Sequence, residues 1–419
     1  MKILLVHEFY RSAAPSGEDS VYLAEKALLE AAGHEVDTLE VRNDEIGQST
    51  LARAGVALES LWSIPTFRAV LRRVRTNRPD VMHCHNTYPL ISPSAYRAAQ
   101  HAGTAVVQTL HNYRLICPSG LLQRGGRPCE DCVGRAPIPA IQHRCYRGSA
   151  AASTAIAAML LLNRALGSFA RDVDRYIVLT EFARQLLVRG GLPPDRLVVR
   201  ATGLAEDPGT GAGQGSYALF AGRLSAEKGA RTLVEAWRHV DEVPLLVAGD
   251  GPMRTDLEQQ VRATGARVRF LGALQRARVL ELMRDASLVV MPSECYEGLP
   301  VTFLEALACG SPIAASNLGA LATLMEHGVN GAHFRPADPV DLAARVNELL
   351  SSPVSLRAIR VRNRSLFEAR YSPAQARQSL ESVYRDAVEA RRARHAPRPA
   401  IRDQRSRTTS DMNIGPEIR

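Results

Sequence analysis

Aromatic residues are scarce in this chain. Phe, Trp and Tyr together make up 5% of its 419 residues, and no nucleic-acid-binding motif accompanies the net charge of +9. Proteins that bind single strands stack bases on aromatic side chains, and duplex readers carry a recognisable binding motif. We therefore expect no nucleic-acid partner, although Lys and Arg are in excess.

Long apolar runs are also missing. No run approaches the roughly 18 to 20 apolar residues of a membrane-spanning helix. The first run, "ILLV" at 3–6, is too short for the apolar part of a signal peptide. The composition, 46% hydrophobic and 23% charged, is that of a soluble globular protein. We expect a cytoplasmic protein, with peripheral attachment at the inner face of the membrane as the alternative.

Short apolar runs alternate with segments able to form helices. The clearest are "KILLVHE" (2–8), "DVMHCHN" (80–86), "TAVVQTLHN" (104–112) and "RYIVLTEF" (175–182), and the alternation restarts after a Gly/Pro/Ser-rich segment at 205–216. Strands that alternate with helices form parallel sheets covered on both faces. The pattern predicts an α/β protein of two tandem doubly wound, Rossmann-like domains that face each other across a cleft.

Domain boundaries follow from the same pattern. We assign 1–205 to an N-terminal domain, 206–365 to a C-terminal domain, and 366–390 to a helix that packs back on the N-terminal domain. The last segment, 391–419, has eight Lys and Arg against three acidic residues and little apolar periodicity. This composition predicts a basic disordered tail.

One strand-to-helix loop has the composition of a phosphate site. The sequence contains no G-x-x-x-x-G-K-[ST] motif, but "FAGRLSAEKGA" places Arg223 and Lys228 just before a predicted helix. Cations at a helix N-terminus attract phosphate. A second tight turn, "VAGDGP" at 247–252, favours a diphosphate. The alternative is an ordinary turn whose cations are solvated.

Two carboxylates follow a later strand. In "SECYEGLPVTFLEA" (293–306), Glu297 lies on a predicted loop and Glu305 on the predicted helix after it. We expect Glu297 to bind the hydroxyls of one sugar and Glu305 those of a ribose, or else Glu305 is an ordinary helix-surface residue. The backbone at the helix start would add dipole stabilisation to a phosphate; it comprises Gly298, Leu299 and Pro300.

These motifs resemble a known family. "GRLSAEKG", "VAGDGP", "FLGAL" and "PSECYEGLPVTFLEALACGSPIAAS", in that order, resemble the donor-binding domain of glycosyltransferase family 4, which has the GT-B fold. The resemblance covers about residues 1–385. It implies a retaining transfer from a nucleotide-diphosphate sugar to a glycan or lipid-linked glycan, with the acceptor on the N-terminal domain. It implies no metal cofactor for catalysis.

The resemblance also implies residue roles. His111, at the end of the "VVQTLHN" strand, matches the family's active-site histidine. Gly17 stands where the family commonly has paired glycines, and we assign it to donor binding. In the remaining matches, Arg223 and Lys228 would bind the diphosphate, Glu297 the donor sugar and Glu305 the ribose.

Other functions remain open at this point. A nucleotide-sugar epimerase or a noncatalytic nucleotide-sugar binding protein of the same fold would share the C-terminal motifs. A glycoside hydrolase could use two carboxylates but has no need of a diphosphate site. The "DVD" at 172–174 has the form of a metal-binding D-x-D motif, and we expect its carboxylates to be solvated turn residues instead.

The cysteines are unevenly distributed. A Gly/Pro-rich insertion at 117–145 contains four of the seven, with one C-x2-C pair: Cys117, Cys129, Cys132 and Cys145. In a cytoplasmic chain this favours a structural zinc site over disulfides. The alternatives are reduced free thiols and a redox or iron–sulfur site. We expect ordinary buried thiols at the other three positions, Cys84, Cys295 and Cys309.

A basic amphipathic segment lies in the N-terminal domain. "LWSIPTFRAVLRRVRTNRPD" (61–80) interleaves apolar residues with five arginines: Arg68, Arg72, Arg73, Arg75 and Arg78. An anionic membrane surface is one candidate partner of these arginines, and it would suit a lipid-linked acceptor. The alternative is a surface helix whose apolar side packs on the sheet.

Overall fold

The computed structural model describes residues 1–10, 16–45, 49–240 and 242–395. The strands are Lys2–Phe9 (β1), Glu35–Arg42 (β2), Val81–Cys84 (β3), Ala105–Leu110 (β4), Gln123–Arg124 (β5), Arg127–Pro128 (β6), Arg175–Val178 (β7), Leu197–Val199 (β8), Ala218–Ala221 (β9), Leu245–Ala248 (β10), Val268–Gly272 (β11), Leu288–Met291 (β12), Ile313–Ser316 (β13) and Gly331–Phe334 (β14).

The helices lie between the strands and after the last of them. They are Gly17–Ala31 (α1), Thr50–Leu61 (α2), Ile64–Asn77 (α3), Ser94–His101 (α4), Ile138–Gln142 (α5), Ala150–Ala165 (α6), Ser168–Arg171 (α7), Glu181–Arg189 (α8), Ala230–Ala236 (α9), Arg254–Thr264 (α10), Arg276–Asp285 (α11), Val301–Ala308 (α12), Gly319–Leu324 (α13), Pro339–Leu350 (α14), Pro353–Arg370 (α15) and Pro373–His395 (α16). Short 3-10 turns span Asn43–Glu45, Pro194–Arg196 and Ala226–Lys228.

Two six-stranded parallel sheets form the two domains. The first has the order β2-β1-β3-β4-β7-β8 and the second the order β11-β10-β9-β12-β13-β14. Every residue of β3, β4, β12 and β13 is buried, as expected for parallel strands covered on both faces. The predicted pair of doubly wound domains is confirmed.

Each sheet has one point at which the strand order reverses. In the first sheet it lies between β1 and β3, and in the second between β9 and β12. Loops at the carboxyl ends of strands beside such a point form a crevice where ligands bind. The loops after β3 and β4 carry the predicted histidine region, and the loops after β9 and β12 carry Lys228 and Glu297.

Helix α16 returns the chain to the N-terminal domain. The hydroxyl of Tyr384 lies 2.8 Å from Nδ1 of His83, and Asp386 pairs with Arg175 at 2.6 Å. The helix begins at Pro373 and ends at His395, whereas we predicted a helix over 366–390.

The predicted boundary of the disordered tail at residue 391 is therefore wrong. Residues 391–395 are the last residues of α16. Arg391 is only 7% exposed and donates hydrogen bonds to the side chain and backbone of Gln100. Its long side chain is buried because its charge finds partners on the N-terminal domain. The rest of the predicted tail, 396–419, lies outside the described residues.

The predicted solvation of the "DVD" carboxylates is also wrong. Asp172 and Asp174 are both buried. Asp172 pairs with Arg97 at 2.7 Å, and Asp174 accepts a hydrogen bond from the backbone N–H of Val106 at 2.6 Å. They join β7 to its neighbours, because buried carboxylates require such partners. The other three cysteines are buried thiols, as predicted: Cys84, Cys295 and Cys309.

Candidate active site

Two histidines meet at the carboxyl edge of the N-terminal sheet. His85 directly follows β3 and His111 directly follows β4, and these strands are neighbours. Nδ1 of His85 lies 3.1 Å from Nε2 of His111, and the two rings stack with their centroids 5.3 Å apart. The adjacency of the strands therefore links the predicted active-site histidine to a second histidine.

A buried ion pair lies behind the histidines. Nε2 of His85 is 3.4 Å from a carboxylate oxygen of Glu25 on α1, and Glu25 also pairs closely with Arg200. Arg200 in turn donates to the backbone oxygen of Ala376 on α16, at 2.8 Å. The chain of contacts runs from His111 to the C-terminal helix, so it fixes the orientation of the His85 ring.

Burial keeps both imidazoles neutral. It lowers the pKa of His111 to about 4 and holds the pKa of His85 well below its usual range. Removing a group from water disfavours its charged form. At neutral pH each ring therefore has one nitrogen that donates and one that accepts.

The same cluster has the composition of a metal site. Among the described residues, Glu25, His83 and His85 form the group of three whose candidate ligand atoms all lie within 4.8 Å of one another. Both nitrogens of His83 already have partners, Tyr384 and Thr109, each at 2.8 Å. The guanidinium of Arg200 already supplies the counter-charge to Glu25. His83 is therefore satisfied, whereas Nε2 of His85 and the second oxygen of Glu25, which lie 3.4 Å apart, have no hydrogen-bond partner.

A small cavity of about 40 Å³ opens beside His111. Its wall includes Glu18, Asn112 and Arg114. Nδ2 of Asn112 donates to one oxygen of Glu18 at 2.8 Å, while the other oxygen of Glu18 is buried without a partner. Burial raises the pKa of Glu18. An unpaired carboxyl oxygen beside the histidines can accept a hydrogen bond from a ligand hydroxyl.

Gly17 is the first residue of α1 and immediately precedes Glu18. It is exposed. Apart from its two chain neighbours and the backbone of its own helix, no atom of the described residues lies within 4 Å of the position that a Cβ would occupy there. Packing within the chain therefore does not require glycine at this position, and the space above α1 is open to a ligand.

On the C-terminal domain, Lys228 and Glu297 are in direct contact. Nζ of Lys228 lies 2.6 Å from Oε1 of Glu297, and the hydroxyl of Ser293 donates to the same oxygen at 2.6 Å. Gly229 makes this approach available. It has φ 65°, and a Cβ there would lie 1.8 Å from the backbone oxygen of Pro292. Only glycine lets the Lys228 turn pack against the loop after β12.

Arg223 does not join this pair. Its side chain is exposed on the loop between β9 and the Lys228 turn. Of the two cations predicted to bind diphosphate, the structure thus seats Lys228 against Glu297 and leaves Arg223 at the surface of the same loop.

Glu305 lies on α12, as predicted. The helix spans Val301–Ala308, with Pro300 as its N-cap residue. Glu305 is buried, and one of its oxygens accepts a hydrogen bond from Nε of Arg276 at 2.8 Å. Burial raises the pKa of Glu305 even though Arg276 acts to lower it. Glu305 is therefore not a solvated surface residue, and its partner is the first residue of α11.

The two domains touch at these loops. The position of a Cβ on Gly298 would lie 3.1 Å from the backbone oxygen of His111. The hydroxyl of Tyr113 donates to the backbone oxygen of Glu297 at 3.3 Å. Leu299, the next residue of the loop, is buried. The loop that carries Glu297 therefore packs directly on the segment that carries His111.

Several residues of the site were not singled out in the sequence. Most contact residues from elsewhere in the chain, namely Glu18, Glu25, His85, Tyr113, Arg200 and Arg276, whereas Ser293 lies within the Glu297 motif itself. The repeat "HCHN" at 83–86 was the one available signal, because alternate histidines at a strand end lie on one face of a sheet.

The four cysteines of the insertion line one small cavity of about 20 Å³. All four are free thiols. Residues of the β5–β6 hairpin and of the helix α5 also line this cavity, among them Arg124 and Ala140. No three of their sulfur atoms all lie within 4.8 Å of one another, so binding of one ion by all four would require the sulfurs to move closer together.

Two family models match this chain. Residues 22–203 match the model described as "Glycosyl transferase 4-like domain", and residues 215–352 match the one described as "Glycosyl transferases group 1". The chain belongs to the family 4 type of glycosyltransferases. The resemblance found in the sequence motifs is confirmed over both domains.

Similar glycosyltransferases cover different shares of the chain. An uncharacterised glycosyltransferase of Methanocaldococcus jannaschii is 37% identical over 138 residues, which are 32% of this chain and 35% of that protein. The glycogen synthase of Mycobacterium tuberculosis is 26% identical over 361 residues, which are 82% of this chain and 78% of that protein. The chain thus matches about a third of the length of the first relative and most of the second.

Solved structures share the fold of this glycosyltransferase. The Anabaena protein HepE in complex with UDP-glucose has a TM-score of 0.63 and 18% identity, and the match covers 91% of this chain and 98% of HepE.

Among the described residues, no helix is both long enough and apolar enough to cross a lipid bilayer.

Proposed function

We propose that the chain is a retaining glycosyltransferase that moves a hexosyl or acetylhexosaminyl group from a nucleotide-diphosphate sugar to a hydroxyl of an acceptor. One observation carries this proposal. The Lys228–Glu297 pair of the donor-side domain packs directly on the His111 segment of the other domain, with Tyr113 donating to Glu297. A sugar held by Glu297 would therefore lie at the mouth of the cavity beside His111.

The charges suit the departure of a diphosphate. Breaking the bond between the anomeric carbon and the phosphate oxygen leaves negative charge on the diphosphate and positive charge on the sugar. Lys228, Arg223 and the backbone at the start of α12 would meet that negative charge. When Lys228 turns to the phosphate, Glu297 is free to accept hydrogen bonds from the donor sugar. This chain's own cations perform the stabilisation in this mechanism.

The N-terminal site would bind the reacting sugar and the acceptor. Nε2 of His111 is occupied by His85, which leaves Nδ1 of His111 for a substrate hydroxyl. The unpaired oxygen of Glu18 can accept from an acceptor hydroxyl. These polar groups support a hydroxyl-rich acceptor, and we propose a glycan or a lipid-linked glycan at the cytoplasmic membrane face.

The comparisons support a nucleotide-sugar donor. HepE, which shares the fold, was solved with UDP-glucose. The buried Glu305 lies on α12, the helix that follows the Glu297 loop, and a carboxylate there suits the ribose hydroxyls of a nucleotide. We propose that Arg276 releases Glu305 to the ribose when the donor binds.

The test is a donor screen followed by a transfer assay. Nucleotide sugars are first ranked by the increase in melting temperature that they cause, because a ligand bound to the native state stabilises it. The best donor is then incubated with and without glycan acceptors, and the products are analysed by mass and by NMR of the anomeric proton. We expect a glycoside with the donor's anomeric configuration. An epimerised nucleotide sugar, an inverted linkage, or binding without turnover would each overturn the proposal.

A further inference from the structure

The cysteine insertion, residues 117–145, belongs to the N-terminal domain and contacts the loop of the C-terminal domain that carries Glu297. Glu130 lies between Cys129 and Cys132, and its carboxylate accepts a hydrogen bond from the hydroxyl of Tyr296 at 3.0 Å. Tyr296 immediately precedes Glu297. The other oxygen of Glu130 pairs with Arg189 at the end of α8, at 2.5 Å. The C-x2-C turn is thus a link between the N-terminal domain and the loop that carries Glu297.

A second contact leaves the insertion at its other end. The backbone N–H of Cys117 donates to the backbone oxygen of Tyr113 at 2.8 Å. The hydroxyl of Tyr113 donates to the backbone oxygen of Glu297 at 3.3 Å. Two separate contacts to one loop, residues 296–297, are therefore made next to cysteines of the insertion: one from Glu130, between Cys129 and Cys132, and one from Tyr113, which is hydrogen-bonded to Cys117.

The insertion contains little regular secondary structure, although its Leu122 packs in the core of the N-terminal domain. Its regular structure is a hairpin of two residues per strand, β5 and β6, and the five-residue helix α5. Such short elements are not stable alone. What they enclose is the cavity lined by the four cysteines, together with Arg124 and Asp131, which pair with each other.

The four thiols suit a cation. All four line the same cavity of about 20 Å³, and none of them forms a disulfide. A Zn²⁺ ion that all four bound as thiolates would lie about 2.3 Å from each sulfur.

We propose that Cys117, Cys129, Cys132 and Cys145 bind one Zn²⁺, and that this metal-held insertion positions the Glu297 loop through Glu130 and Tyr113. Zinc acts here on structure and takes no part in bond breaking. Glu130 is a positioning residue, because it reaches the donor only through Tyr296.

The metal site is tested without any assay of activity. Protein purified in reducing buffer without chelator is expected to hold one zinc per chain, and a thiol reagent should release that zinc as four thiols react. Cys129→Ser with Cys132→Ser should remove it, while the matched variants Cys84→Ala and Cys309→Ala should keep it. Well under one zinc in the wild type, iron in place of zinc, or an intact mass two daltons low for a disulfide would overturn the proposal.

The positioning role is tested with the zinc retained. Glu130→Gln and Tyr296→Phe should each raise the donor Kd and KM about two- to tenfold, the range that a single hydrogen bond accounts for. The double variant should be no worse than either single one. The control is Arg127→Gln, which lies at an exposed position of β6 and does not line the cysteine cavity. Unchanged donor Kd in both variants would overturn this role.

The two experiments fail separately. This positioning role rests on the proposed transferase function, whereas zinc content does not. A chain that holds zinc but binds no nucleotide sugar would contradict the proposed function alone. A chain that transfers sugar but contains no zinc would contradict the metal site alone.

Discussion

The two sides of the cleft differ in how their charges are satisfied. On the N-terminal side, His111, His85 and Glu25 form a buried chain of contacts that ends at Arg200. On the C-terminal side, a partly exposed cation pairs with a less exposed carboxylate: Lys228 is 32% exposed and Glu297 12%, and Arg276 is 52% exposed and Glu305 9%. One side is fixed before any ligand binds, and the other is held by pairs that a ligand can replace.

This difference indicates a division of labour. Buried ion pairs are costly to break, because an unpaired charge remains in a low-dielectric site. In each C-terminal pair, by contrast, the cation reaches solvent. A diphosphate can therefore draw Lys228 from Glu297, and a ribose can replace Arg276 at Glu305, because substrate hydroxyls supply the carboxylates with new hydrogen bonds. The histidine side keeps its geometry throughout, as preorganised catalysis requires.

The largest effect is expected from the fixed side. His111→Ala should lower kcat about 10²- to 10⁴-fold, the range for a positioned proton-transfer or hydrogen-bonding group. Donor Kd should change little, because Lys228 and Glu305 are untouched. Steady-state kinetics and donor titration measure both quantities. The exposed His239→Ala is the control, and equal activity in the two variants would contradict a role for His111.

A large effect is also expected from the Lys228–Glu297 pair, which lies on the opposite side of the cleft from His111. Lys228→Ala should lower kcat about 10²- to 10³-fold, since the cation meets charge that grows as the diphosphate leaves. Glu297→Gln should lower kcat as well, and the double variant should fall short of the product of the two losses. Single-turnover rates measure this. Strictly multiplicative losses would show that the pair seen here has no part in the reaction.

The response of activity to acid should follow the protonation of His111. With neutral His111 as the working form, kcat/KM should stay level from pH 8 to about 5 and fall as His111 protonates near its lowered pKa of about 4. The unfolded chain binds this proton near pH 6.5, so the fold also loses stability as pH falls from there. Recovery of activity at pH 7 separates the two effects. An acid limb centred at 6.5 would contradict the buried, neutral histidine.

A smaller effect is expected at the ribose. Glu305→Gln should raise donor KM about tenfold with kcat nearly unchanged, because the proposed partner is remote from the broken bond. Arg276→Ala is the matched variant. It should spare or tighten donor binding, since it frees Glu305 in advance. If both variants leave donor Kd unchanged, Glu305 does not bind the ribose.

The fold and the donor side were largely predictable because their signals are contiguous in sequence. Alternating strands and helices fix the two sheets, and the loops "GRLSAEKG" and "PSECYEGLP" each hold their functional residue and its backbone together. Glu305 was placed on its helix by the apolar residues around it. In these segments the local sequence pattern predicts the same structure that the tertiary contacts stabilise.

The N-terminal site was less predictable because it is assembled from distant segments. His85 matters only because β3 lies beside β4, and Glu25 and Arg200 are 175 residues apart. Asp174 lies 68 residues from its partner Val106, and Arg391 lies 291 residues from Gln100, so both looked like solvated charges in the sequence. Burial of a charge depends on a partner that no local pattern shows.

The smallest effect is expected from substitutions on the exposed face of α3, and it tests whether the enzyme binds a membrane surface. On α3 the apolar residues Val70 and Val74 are buried, while Arg68, Arg72 and Arg75 are exposed. Arginines near an anionic bilayer contribute about 1 kcal/mol each at low salt. If this face docks on a membrane, the protein should sediment with anionic vesicles at low ionic strength and be released as salt rises.

Arg72→Glu with Arg75→Glu should weaken that sedimentation several-fold without changing the melting temperature or donor Kd. The matched control, Arg357→Glu with Arg362→Glu, makes the same charge change at exposed positions of α15 in the donor-side domain. It should leave vesicle binding intact, because the proposed docking face belongs to the N-terminal domain. Equal loss in the two variants would mean that net charge alone drives binding. Sedimentation that does not depend on vesicle charge would favour a soluble glycan acceptor. In that case α3 is an ordinary surface helix that packs its apolar side on the sheet.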